Sequence, residues 1–165
     1  MEVRPAKQSS EIIRSLLTAL GQAFDHHTWH GTNLRGSLRG LTPAQALWRP
    51  APGRHNIWEA VLHAAYWKYA VRQRLTGGKR GEFPLKGSNW FAAPESAGPR
   101  EWKQALALLQ QTHTSLLETV TRIPAVKLNR QVRGSKWTAF DLILGVAYHD
   151  IYHAGQIQLL KRLQK

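Results

Sequence analysis

Two histidines four residues apart, His149 and His153 in the stretch HDIYHAGQ, are the residues of this sequence best placed to do chemistry. Positions i and i+4 lie one above the other on a helix, and the inward stripe here reads Leu142, Val146, His149, His153, Ile157 and Leu160. Two imidazoles on an apolar face are costly unless satisfied, and both cannot comfortably carry charge. A divalent ion resolves this, because neutral imidazole is a good ligand and the spacing suits one ion. A pair of hydrogen-bonded core histidines is the alternative. His63, set among apolar residues in VLHAA, is a third candidate on a different helix. Alone it would read as a satisfied core residue. Two ligands from one helix and one from a neighbour, however, make a core site of the kind helical bundles support. Other histidines fit less well. His113 is isolated, His55 sits just before a helix cap, and His26, His27 and His30 lie near an expected helix end.

The run His149-Asp150-Ile151-Tyr152-His153 comes close to the H-E-x-x-H signature of zinc proteases, with Asp in place of the general-base Glu. Asp is one methylene shorter, and the twelve residues after His153 leave no room for a downstream third ligand, so that reading is rejected. Asp150 directly follows His149, and a helix turns it about 100° away from that ligand. Glu59 lies one turn before His63 but is expected to serve a capping box. Tyr152 and Gln156, a turn from the two histidines, are candidates for contacts to the ligands or to a substrate, or for ordinary interhelical hydrogen bonds. Tyr66 and Trp67 read as core.

The elements that must position these residues are helical throughout. Ser9 or Ser10 can cap a first helix carrying Ile12, Ile13, Leu16, Leu17, Leu20 and Phe24 at helical spacing. Thr42-Pro43-Ala44-Gln45 is a short capped start. Asn56-Ile57-Trp58-Glu59 opens a longer helix to about Arg74, ended by Gly77-Gly78. Pro99 starts another, with Trp102, Leu106, Leu109, His113, Leu116 and Leu117 inward, ending near Pro124. Thr138-Ala139-Phe140-Asp141 opens the last, which runs to the C-terminus. Four long helices with short extras predict an all-α four-helix bundle, one domain over residues 1–165. Between Gly77 and Gly98 the chain turns to Gly, Pro, Ser and Lys, with Phe83, Trp90 and Phe91 embedded. A loop this long is usually functional, and its aromatics predict a packed flap over the metal-site mouth or a dimer seam.

Composition sets outer limits. The chain has 165 residues, 42% of them hydrophobic, and no cysteine, so disulfides, thiolate ligands and a cysteine nucleophile are excluded together. No apolar run approaches the roughly 20 residues of a membrane span, and the start MEVRPAKQSSE has no apolar segment of a signal peptide. A soluble cytoplasmic protein without membrane partners is expected. The net charge of +13 raises nucleic acid as a partner. The basic residues are spread along the chain, with two acid-free stretches: Lys68, Arg72, Arg74, Lys79 and Arg80, then Arg122, Lys127, Arg130, Arg133 and Lys136. No DNA- or RNA-binding signature accompanies them, so a basic solvated surface and no specific nucleic acid are expected.

The segment TWHGTNLRGSLRGLTPAQALWRPAPGRHNIWEAVLHAAYW, followed far downstream by GVAYHDIYHAGQIQLLKRL, resembles the DinB-like (damage-inducible) superfamily of metal-binding four-helix proteins. The IWE-x3-HxxxW pattern and the second segment are the specific marks, and the likeness covers nearly the whole chain. It implies a three-histidine site at His63, His149 and His153, a divalent ion such as zinc, nickel or iron, and commonly a homodimer. It also implies, for some members, transferase or isomerase activity with a low-molecular-weight thiol: bacillithiol, mycothiol or glutathione. The residues around the site vary between members, so the small-molecule substrate does not carry over.

Three histidines without a fourth protein ligand describe an open coordination position, typical of catalytic sites. The functions in play are a thiol-dependent transferase, a metal-dependent hydrolase using activated water, and a non-enzymatic metal or small-ligand binding module. A Glu or His base beside the site would favour hydrolysis. The transferase is the leading expectation, because a coordinated thiol is deprotonated without a strong protein base.

Overall fold

Local capping signals set where most of the helices begin. The computed structural model describes residues 5–78, 81 and 83–164; Lys79, Arg80 and Glu82 lie outside the described residues. Among the described residues six α-helices form: α1 (Pro5–Phe24), α2 (Leu34–Ser37), α3 (Pro43–Leu47), α4 (Ile57–Thr76), α5 (Pro99–Arg122) and α6 (Ala139–Leu163). A 3-10 turn at Ala125–Lys127 links the last two. Among the described residues no β-strand forms, and the fold is all-α as expected.

Thr42 and Gln45 complete a reciprocal capping box at α3, and Thr138 with Asp141 does the same at α6. At α4 only half of the expected box is made. The Asn56 side chain accepts from the Glu59 N–H at 2.9 Å, but the Glu59 carboxylate is drawn away to other partners described below. Gly77 ends α4 with φ of +70°, a left-handed conformation in which a Cβ is strained. Pro99 occupies the start of α5, where its missing N–H costs nothing. The first helix departs from expectation: it begins at Pro5, ahead of the Ser9 and Ser10 caps, and proline's fixed φ suits that first position.

The four long helices pack as a bundle, α1 against α5 and α6, and α4 against the same two. Leu20, Leu116, Ile143 and Ile157 are wholly buried at these contacts, each contributing about 1.5–3 kcal/mol of burial. The inward faces are rotated slightly from the expected stripes. On α6 the buried line is Ile143, Val146, Ala147, Asp150, His153, Ala154 and Ile157, while Leu142, His149 and Leu160 are half-buried. On α5 Ala105, Thr112 and Val120 are buried and Leu106 and Leu117 only partly so; on α1 Ile12 is exposed.

The largest departure is inside the core. Lys68, read as part of a solvated basic stretch, is completely buried and ion-paired with Asp150, which is equally buried. Burial pushes the lysine pKa down and lifts that of Asp150 to about 6, while each partner favours the charge on the other. The pair joins α4 to α6 five residues after His63 and between His149 and His153, so it sets the mutual register of the helices that carry the histidines. His113 lies on the same buried layer, stacked on Phe24 at 3.8 Å between ring centroids.

Candidate metal centre

His63 from α4 and His149 and His153 from α6 point their Nε2 atoms at one spot. His149 Nε2 stands 3.2 Å from His63 Nε2 and 3.1 Å from His153 Nε2. Among the described residues these three form a group that could hold a metal ion. Outward hydrogen bonds set the tautomers. His63 Nδ1–H donates to the Asn89 carbonyl at 2.6 Å, and His153 Nδ1–H donates to the Gln156 side-chain oxygen at 2.7 Å. Both rings then turn bare Nε2 lone pairs inward.

Burial holds all three imidazoles neutral. His149 is pushed down to about 3 by burial and then by the neighbouring His153, His63 and Lys68. His153 is pushed down to about 4, chiefly by burial and then by His63, and His63 is lowered mainly by burial. Neutral imidazoles with converging lone pairs repel in the absence of a shared proton or cation. Nitrogens about 2.0–2.1 Å from one ion stand roughly 2.8–3.4 Å apart in octahedral to tetrahedral geometry, and these two separations fall in that range. The donor set fits a first-row divalent ion.

The residues around the centre were only partly anticipated. Trp90, from the loop between α4 and α5, lies flat between two imidazoles, 3.8 Å from His63 and 3.7 Å from His55. Asn89 and Trp90 thus fix one flank of His63. The same loop is held down by Glu59, which is buried and accepts hydrogen bonds from both arms of Arg49, from His55 Nδ1 at 2.8 Å and from the Ala93 N–H at 3.4 Å. Burial raises the Glu59 pKa, but the bonds from Arg49, His55 and Ala93 outweigh it and hold the carboxylate down to about 2. Nothing local in the sequence marks Arg49 or Asn89 for these tasks, because their partners lie 10 and 26 residues away.

Gln156 does contact a site histidine, within its own helix rather than between helices. Tyr152 is largely exposed and meets His153 only edge-on, with centroids 5.3 Å apart. Trp67, read as core, is half-buried and flanks the site, edge-on to His63 and His149 at 6.2 and 6.3 Å. With Trp137, Leu142, Leu144 and Tyr148 it lines a mainly apolar groove of about 470 Å³ that reaches His149.

An all-helical bundle with a histidine centre between two of its long helices defines the class of this protein. The chain belongs to the DinB superfamily, whose model matches residues 26–157. The fold is similar to that in a crystal structure of a conserved protein from Enterococcus faecalis, at 16% identity and a TM-score of 0.60, covering 98% of each chain. No curated protein matches the chain.

Proposed function

We propose that His63, His149 and His153 bind one divalent ion, such as zinc, nickel or iron, and that the protein is a thiol-dependent transferase acting on a small apolar electrophile. The observation that carries the choice of thiol over water is that the carboxylates of the two helices carrying the histidines are committed elsewhere. Asp150 is buried against Lys68, and Glu59 is saturated by Arg49, His55 and Ala93. Asp141, at the far end of the groove, accepts from the Thr138 hydroxyl at 2.7 Å and from the Thr138 N–H at 3.0 Å. A hydrolase usually adds a positioned carboxylate base to its metal, and none of these three is poised as one.

When bound, the ion supplies Lewis acidity that favours the thiolate form of an external low-molecular-weight thiol. The chain's own residues do the rest. Asn89 and Gln156 hold two histidines in the ligating tautomer, Trp90 shields one face of His63 from water, and the Trp67–Trp137–Tyr148 groove offers an apolar berth beside His149. A homodimer is part of the reading. Tyr148, Tyr152, Leu159 and Leu163 recur along one exposed side of α6, an apolar strip suited to a second copy.

The test incubates metal-loaded protein with bacillithiol, mycothiol or glutathione and generic electrophiles. Metal-dependent conjugation is expected. Metal-dependent hydrolysis of esters, amides or phosphoesters with no thiol added, and no conjugation with it, would replace the transferase with a hydrolase.

A further inference from the structure

Arg74 of the first acid-free stretch meets part of the second in space. Arg74 near the end of α4 and Arg133 in the turn before α6 line one cavity of about 790 Å³, joined by Lys86 from the loop between α4 and α5. The same two arginines also line a smaller neighbouring cavity of about 200 Å³, together with Lys127 and Arg130. No acidic side chain is among the described residues lining either cavity, and Arg74, Lys86 and Arg133 form no ion pair with a described residue. Guanidinium groups gathered around a concave surface raise the local potential and favour an anion.

The larger cavity also has an aromatic wall. Phe83 packs against Tyr66 and Tyr69, each 5.4 Å away between ring centroids. Three glycines on its lining, Gly77, Gly81 and Gly134, take positive φ. A volume of this size suits a ligand of cofactor dimensions, whereas a nucleic-acid backbone would use an extended ridge of charge and not a half-open hollow. Arg74 further sits over the Trp67 ring at 5.7 Å, and Trp67 flanks the histidines, so two side chains, Arg74 and Trp67, would link an occupant to the metal centre.

We propose that this cavity binds a small organic anion that combines a planar ring with two or more negative charges, a nucleoside phosphate being the plainest example. The ring packs on the Tyr66–Phe83 wall, and the charges meet Arg74, Arg133 and Lys86. The proposal stands apart from the thiol chemistry and requires no metal.

Calorimetric titration of the full chain with ADP, inorganic pyrophosphate and adenosine tests it. ADP is expected to bind saturably, one per chain, with pyrophosphate and adenosine each weaker by about tenfold or more. Arg74→Gln combined with Arg133→Gln should weaken ADP by about tenfold or more, since each removes a charge-assisted contact. The charge-matched control Arg14→Gln with Lys103→Gln, both exposed on other helices, should leave ADP binding unchanged, and circular dichroism should show all variants folded. Equal losses in the two double variants would reduce the effect to net charge and overturn the proposal. So would duplex DNA binding in the absence of any saturable ADP binding.

Discussion

Replacing Asp150 by Ala leaves the Lys68 ammonium wholly buried without a counter-charge. Both side chains have no solvent exposure, so neither water nor salt can take the partner's place. Removing one member of such a pair costs about 3–5 kcal/mol, because the uncompensated charge remains inside. Against a total stability of about 5–15 kcal/mol, that is a large share. For a chain of this length it corresponds to a fall in Tm of roughly 6–20 °C. Exchanging both residues for apolar ones, Lys68→Met with Asp150→Leu, removes the buried charges together and should recover most of the loss. Urea unfolding of the wild type, both single variants and the double variant closes the cycle. The single substitutions are expected to be strongly destabilising and the double much milder than their sum. Single variants that lose less than about 1 kcal/mol, or effects that simply add, would refute the assignment of the pair as a buried ionic link between α4 and α6.

Acid should expose the buried His113. Its pKa is lowered from 6.5 to about 3, first by burial and then by Lys68 and His26. Between those values the unfolded chain takes up a proton that the folded one refuses, so stability falls as pH drops below 6.5. Relative to His113→Phe, the wild type should lose about 2 kcal/mol between pH 7.5 and pH 5, and a pH-independent difference in urea titrations would count against it. Trp90→Ala strips the ring from His63 and His55, and zinc affinity should weaken by about tenfold with stoichiometry kept; unchanged affinity would show that the stack does not support the site. Tyr152→Glu with Leu159→Glu should shift the protein toward monomer in sedimentation experiments, and an unaltered dimer would move the interface off α6.

Much of the architecture is written in local signals. Thr42, Asn56, Pro99 and Thr138 announce helix starts within a few residues of where they fall, and Gly77 marks the end of α4. The three histidines are legible because each interrupts an apolar helical face, where an imidazole must be satisfied. What stays hidden is pairing over distance. Lys68 looks like any lysine on a basic helix, and only the fold brings it to Asp150, 82 positions on. Glu59 sits where a capping box needs it, yet Arg49 and His55 outbid the Asn56 backbone for its carboxylate. Trp90 is recognisable as an aromatic that should pack, but the faces it covers depend on the path of the loop. Arg74 and Arg133 stand 59 positions apart and share two cavities, a proximity that no local pattern signals.

The most direct test of the central claim is calorimetric titration of metal-stripped protein with zinc, for the wild type and for His63→Ala, His149→Ala and His153→Ala. One ion per chain is expected for the wild type. In each variant affinity should weaken by more than about 100-fold, with helical circular dichroism retained. Unchanged stoichiometry and affinity in all three variants would contradict a metal centre at these histidines.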